Sequence, residues 1–162
     1  MKVKKLLSVI TLFALSLTML AGCGSDPIQD DLDNYFEDKM PAIYAEEDSI
    51  TEALGLATTD NYTDDATLIA TLTNEIIPQS DALVAKVTAV TTDTDELTAV
   101  HAKYIEAMTT VNTSIKALLS GIELGDTAMI DEASLSLADA ATQNDDYAAS
   151  LNALGKDYGW QV

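Results

Sequence analysis

The chain has 162 residues, of which 27 are Asp or Glu and 8 are basic, all of them lysine, giving a formal net charge of −19. Nucleic-acid binding depends on Lys and Arg neutralising phosphates, so this balance excludes DNA and RNA as partners. It favours cations and basic proteins, and an anionic lipid surface repels it.

The chain opens with Lys2, Lys4 and Lys5, then an apolar stretch over 6–20, then small residues ending at Cys23. That is the layout of an export signal. The apolar stretch is shorter than the roughly 20 residues that a spanning helix needs. Cys23 is the lone cysteine, so no internal disulfide can form, and an unpaired cysteine in an exported chain calls for another role. The run Leu20-Ala21-Gly22-Cys23 resembles the lipobox of bacterial lipoproteins. The resemblance implies cleavage before Cys23, a covalent diacylglycerol on its sulfur, palmitate-type acylation and no other cofactor. An uncleaved signal anchor with an incidental cysteine is the alternative. Stable anchoring takes about two acyl chains, which such a group supplies. On this reading 1–22 is a cleaved signal peptide and 23–26 a lipidated cysteine with a short linker. Residues 27–162 then form an acidic helical domain on the extracytoplasmic face of the cell membrane (outer membrane or periplasm in a Gram-negative cell). Loss of the three leader lysines makes that domain more acidic still, which also suits a saline habitat.

Asp26-Pro27 reads as an N-cap and first helical residue. Ile28, Leu32, Tyr35, Phe36, Met40, Ile43, Ile50 and Leu54 then predict a helix over 27–57. The polar run 58–64 is the first turn. A second helix over 64–90 places Ile69, Leu72, Ile76, Leu83 and Val87 inward, and a turn follows at 91–95. The third helix, 95–122, carries the cleanest stripe, from Leu97 through His101, Tyr104 and Met108 to Leu118 and Ile122. Gly121 and Gly125 are expected to bracket the third turn. Asp126 caps the fourth helix, which runs to 154 with Ile130, Ala133, Leu137, Ala140, Asn144, Tyr147 and Leu151 inward. Gly155 and Gly159 punctuate its end, and Tyr158 and Trp160 form a short tail. Short turns make successive helices antiparallel. The predicted fold is therefore all-α, an antiparallel up-down-up-down four-helix bundle after the cleaved signal peptide, each helix roughly 40 Å long. A three-helix bundle with a loose N-terminal segment is the competing fold. Pro41 and Pro78 each remove a helical hydrogen bond. Counted from the first turn they fall at nearly one height, where two tolerated kinks or an opened waist would sit.

Catalytic patterns are missing from the sequence. One histidine cannot build a multi-histidine metal site. The Glu-x-x-His, His-Glu-x-x-His, Gly-x-Ser-x-Gly and phosphate-loop signatures do not occur. No catalytic residue and no metal site is assigned. The acidic clusters at 26–33, 60–65, 93–96 and 145–146 fall mostly at helix starts, where carboxylates cap free N–H groups. One inward polar layer stands out. Counting from the turns sets His101 level with Asn144, Tyr147 and Tyr35. Buried polar groups need partners, so these four either satisfy one another or line a small ligand pocket.

The His-x-x-Glu pattern of imelysin-like helical lipoproteins is not met, since Tyr104 stands where the Glu belongs. The runs Asn61-Tyr62-Thr63-Asp64-Asp65, Ile76-Ile77-Pro78 and His101-Ala102-Lys103-Tyr104-Ile105 are similar to those of small uncharacterised helical lipoproteins of Gram-positive bacteria. The resemblance implies a surface-tethered helical domain with no assigned enzymatic role. The expectation is a membrane-anchored extracytoplasmic lipoprotein, not an enzyme, acting as a binding or interaction module. A small-ligand or cation sensor using the bundle core or the acidic turns is the alternative. The expected partners are the membrane through the lipid anchor, and a basic protein or a cation.

Overall fold

A computed structural model describes residues 26–59 and 61–160. The expected signal peptide 1–22, Cys23 and the expected linker before Asp26 lie outside the described residues, as does Asp60. The described residues are 88% helical with no strand among them, so the domain is all-α.

Asp26 caps the first helix by accepting from Ile28 N at 2.9 Å. Helix α1 (Pro27–Asn34) passes into a π-helical turn, Tyr35–Lys39, and the chain resumes as α2 (Pro41–Thr58). Pro41 has no N–H, and its ring would clash with the carbonyl four residues back. The widened turn relieves both problems. Met40 N donates instead to Tyr35 O, five residues back, at 3.0 Å. The same device recurs in the second stretch. Helix α3 (Asp65–Thr71) leads into a π-helical turn, Leu72–Ile76, and then into α4 (Ile77–Ala89), with Pro78 in its first turn and Ile77 N donating to Leu72 O. The two long helices expected over 27–57 and 64–90 are thus each two helices joined through a π-helical turn, for the steric reason that proline imposes.

Helices α5 (Asp95–Leu124) and α6 (Thr127–Gly155) are uninterrupted, and a 3-10 turn, Lys156–Tyr158, ends the chain's helical part. Each helix after a loop starts on a side-chain cap. Asp64 accepts from Thr67 N at 2.8 Å, Thr94 from Leu97 N at 3.4 Å, and Asp126 from Ala128 N at 3.0 Å.

The third turn is tighter than expected. Gly125 alone makes it, at φ +63°, a left-handed conformation that glycine adopts without strain. Gly121 is not a turn residue; it lies inside α5, buried. A Cβ there would stand 2.9 Å from Ile130 Cγ1 and 3.0 Å from Ile130 N, so its missing side chain lets α5 and α6 close together.

Helix α5 is the hub. It packs along α6 and also touches α1, α3 and α4, while α2 packs against α3 and α4. The core runs through all of them, with Leu32, Met40, Leu72, Val87, Leu97, Ile115, Leu118 and Leu151 fully buried. Burial of each such side chain contributes about 1.5–3 kcal/mol.

The two prolines are not level. Lys39 Nζ donates to Thr91 O, just past the end of α4, and Lys86 pairs with Glu46. Pro41 therefore sits near that end, roughly 20 Å along the axis from Pro78 at 1.5 Å per residue. The unhelical segment 62–64, ending on an extended Asp64, offsets the helices that it joins.

The C-terminal tail is docked. Trp160 is buried, stacks on Phe36 at 4.7 Å between centroids and donates its Nε1–H to Asp33 at 2.7 Å. Among the described residues, no helix is long and apolar enough to cross a membrane.

Candidate functional site

The π-helical turn before Pro41 carries Tyr35 into the core, where it is fully buried. There its hydroxyl lies 2.8 Å from His101 Nδ1 on α5 and 3.0 Å from the Tyr147 hydroxyl on α6. Tyr44, one turn into α2, lies 2.5 Å from the same Tyr147 hydroxyl. The other ring nitrogen, His101 Nε2, lies 2.9 Å from Val87 O at the end of α4. All four helical stretches thus meet in one hydrogen-bonded layer.

The chemistry fixes the direction of this chain. A carbonyl oxygen only accepts, so His101 Nε2 carries a proton and donates to Val87. Burial pushes the His101 pKa below its ordinary 6.5, which keeps the ring neutral and makes Nδ1 an acceptor. Tyr35 must then donate to His101, Tyr147 to Tyr35, and Tyr44 to Tyr147. Burial holds all three phenols above the ordinary tyrosine pKa of 10.0, so each keeps the proton that it donates. The layer is a one-way relay of neutral groups.

Three of the four residues singled out in the sequence are therefore brought together: His101, Tyr35 and Tyr147. Asn144 is not in contact with the histidine. It belongs to an adjoining cluster, where its Nδ2 lies 3.5 Å from Glu47 Oε1 and its Oδ1 is enclosed without a partner. Glu47 also accepts from the Tyr104 hydroxyl at 2.6 Å. Burial raises the Glu47 pKa above its ordinary 4.5, with the Tyr104 hydrogen bond opposing. Counting residues from the turns set Asn144 about one helical turn out: Lys103 meets Asp146 and Ser114 meets Ser136, which puts Asn144 level with Tyr104 and not with His101.

Sequence reasoning missed Tyr44 and Glu47. Both fall on the inward 3-4 spacing of Met40, Ile43, Ile50 and Leu54, which are buried as expected, but a polar side chain at those steps was not counted as core. Tyr104 was read as core and is core, with its ring 4.7 Å from that of Tyr147. Asp31 was missed as well. It is 2% exposed, and its Oδ2 accepts from Asp93 N, Thr94 N and the Thr94 hydroxyl at 2.8–2.9 Å, latching α1 to the turn before α5. Lys39 Nζ stands 4.0 Å from its other oxygen.

At the far end of the first two stretches an open groove of about 300 Å³ runs between α2 and α3, floored by Ala53, Leu56, Ala57 and Leu68 and edged by Thr71 and Glu75. No group of acidic, His or Cys side chains among the described residues is arranged to hold a metal ion.

An all-helical domain behind a lipobox-like segment defines the class: a bacterial lipoprotein with a helical folded part. Residues 3–135 match the EMYY-motif containing lipoproteins, and the chain belongs to that family. The match includes Cys23, Tyr35, Tyr44, Glu47, His101 and Tyr104; it ends short of Asn144 and Tyr147. Glu-Met-Tyr-Tyr does not itself occur as a run in this chain, so no residue here takes a role from that motif. No curated protein and no solved structure matches the chain.

Proposed function

We propose that this lipoprotein is a non-enzymatic interaction module, tethered by a diacylglycerol on Cys23 at the extracytoplasmic face of the membrane, with the helical domain binding a partner through its surface. The observation that carries the reading is the closure of the core layer. Both nitrogens of the sole histidine are engaged within the chain, by Tyr35 and by Val87. A histidine held in this way locks helices together and directs nothing at a ligand. The domain so tethered is the stretch 27–162, and it begins close to the anchor.

We further infer the up-down-up-down course of the four stretches. Residue pairs support it. Along α4 and α5, Asp81 meets Lys116 while Val87 meets His101. Along α5 and α6, Ser114 meets Ser136 while Lys103 meets Asp146. In each case one number rises as the other falls.

The tether has a direct test. Metabolic labelling with a palmitate analogue should mark the wild-type protein in membranes, and Cys23→Ala should lose the label and accumulate as precursor. Equal labelling of the two would overturn the anchor. A small-ligand or cation sensor is the second reading, and the specific feature in its favour is the enclosed, unpartnered Asn144 Oδ1 beside Glu47.

A further inference from the structure

The groove between α2 and α3 lies at the end of the molecule away from the anchor. Cys23 is three residues ahead of Asp26, so its sulfur is held within about 10–15 Å of the start of α1. The same end of the domain holds the turn before α5, through Asp31, and the docked tail, through Asp33. From there α5 runs 30 residues, about 45 Å, to Leu124. Helix α3 packs against α5. Since Asp81 on α4 bonds Asn112 and Lys116, α3, ten residues and more upstream, lies toward the Leu124 end. The groove therefore faces away from the bilayer.

Its chemistry is of two kinds. The floor is apolar and partly open, and Leu56 is 38% exposed, which makes it one of the few large hydrophobic side chains displayed to solvent. The rim carries one acid, Glu75, beside the neutral Asn61, Thr67 and Thr71, and the segments that form the groove are acidic in sequence. No lysine occurs between Lys39 and Lys86, while Glu52, Asp64, Asp65 and Glu75 fall within or beside the groove-forming segments. Asp64 is held ionised, its carboxyl drawn below the ordinary range chiefly by the N–H of Thr67. Lys116, the nearest lysine along α5, is already paired with Asp81.

We propose that this groove is the docking site for a cationic, amphipathic peptide segment of a partner protein. Apolar side chains of the segment seat on the exposed Leu56 and the half-buried Ala53, over the buried Ala57 and Leu68, and its basic side chains face Glu75 and the acids beside it. An open cleft between two helices suits a helical or extended segment lying along it, and charge of one sign around an apolar floor selects a partner of the other. The proposal rests on the surface-binding reading above and names its surface and its partner chemistry.

The test uses the full-length lipoprotein in zwitterionic phosphatidylcholine nanodiscs, with empty discs as the blank. The probe is a fluorescein-labelled Leu/Lys peptide of about four helical turns, apolar on one face. Saturable binding is expected, weakened about tenfold or more by Leu56→Lys with Glu75→Lys. The matched pair Leu135→Lys with Asp139→Lys makes the same chemical change on an exposed face of α6, and is expected to weaken binding about twofold or less. No binding above the blank, equal losses in the two pairs, or equally tight binding of a Ser/Lys peptide of the same charge each overturns the proposal. Co-purification with the discs reports the tether separately. Protein that enters discs yet ignores the peptide defeats the groove and leaves the anchor standing; protein that stays out of discs yet binds with the expected pattern does the reverse.

Discussion

Tyr35→Phe tests the direction of the buried relay. Tyr35 is the middle member: its hydroxyl donates to His101 Nδ1 and accepts from Tyr147. Removing that one oxygen leaves a buried acceptor on the histidine and a buried donor on Tyr147 without partners. Each orphaned group costs about 1–3 kcal/mol, so the variant should lose about 2–6 kcal/mol. Tyr44→Phe removes only the outermost donor. Tyr147 keeps its acceptor in Tyr35, and the loss should be that of one ordinary hydrogen bond, about 0.5–1.5 kcal/mol. At roughly 3 °C per kcal/mol for a domain of this size, the melting temperature should fall by about 6–18 °C for the first variant and by about 2–4 °C for the second. Urea unfolding followed by far-ultraviolet circular dichroism gives both values, and the double variant gives the coupling between them. Equal costs for the two single variants, or a larger cost for Tyr44→Phe, would refute the one-way chain.

Asp31→Ala should cost about 3 kcal/mol, since charge-assisted hydrogen bonds to two backbone N–H groups and a hydroxyl vanish together; hydrogen exchange at Asp93 and Thr94 should rise with it, and unchanged exchange there would break the latch argument. Gly121→Ala should destabilise by about 1–3 kcal/mol, because the new methyl meets both the side chain and the backbone of Ile130; a variant as stable as wild type would show that α5 and α6 part without cost. Stability should also depend on pH in two opposed ways. Burial raises the Glu47 pKa in the fold, so its contribution is complete below the ordinary 4.5 and is lost as pH rises through the higher folded value. Burial lowers the His101 pKa, so its contribution is complete above the ordinary 6.5 and is lost as pH falls toward the lower folded value. Glu47→Gln should remove the first slope and keep the second, read as urea midpoints across the acid-to-neutral range; persistence of both slopes in that variant would place the first elsewhere.

The sequence by itself determined the helical class, the positions of most helix ends and the lipoprotein identity. These depend on local chemistry. Asp26, Asp64, Thr94 and Asp126 cap helices because a short oxygen-bearing side chain next to an apolar 3-4 stripe has one good use. The lipobox-like run Leu20-Ala21-Gly22-Cys23, which pointed to the lipoprotein family, is likewise read from consecutive residues. The height of His101, Tyr35 and Tyr147 was also legible, because a helix rises evenly along its axis. What the tertiary structure alone decided was the axial offset of the helices and the closure of the core layer. Two prolines were plain to see, but their accommodation by π-helical turns was not, and each such turn rotates every later residue of its stretch. Packing brought Tyr44 and Glu47 into the core layers, and the axial offset of α6 against α5 put Asn144 with Glu47, about one helical turn from the histidine. Gly121 looked like a turn residue because glycine often is one; only the approach of Ile130 shows that it is a contact. Residues far apart in sequence meet by packing, and packing is set by the summed shape of all the helices, which no single stretch of the chain contains.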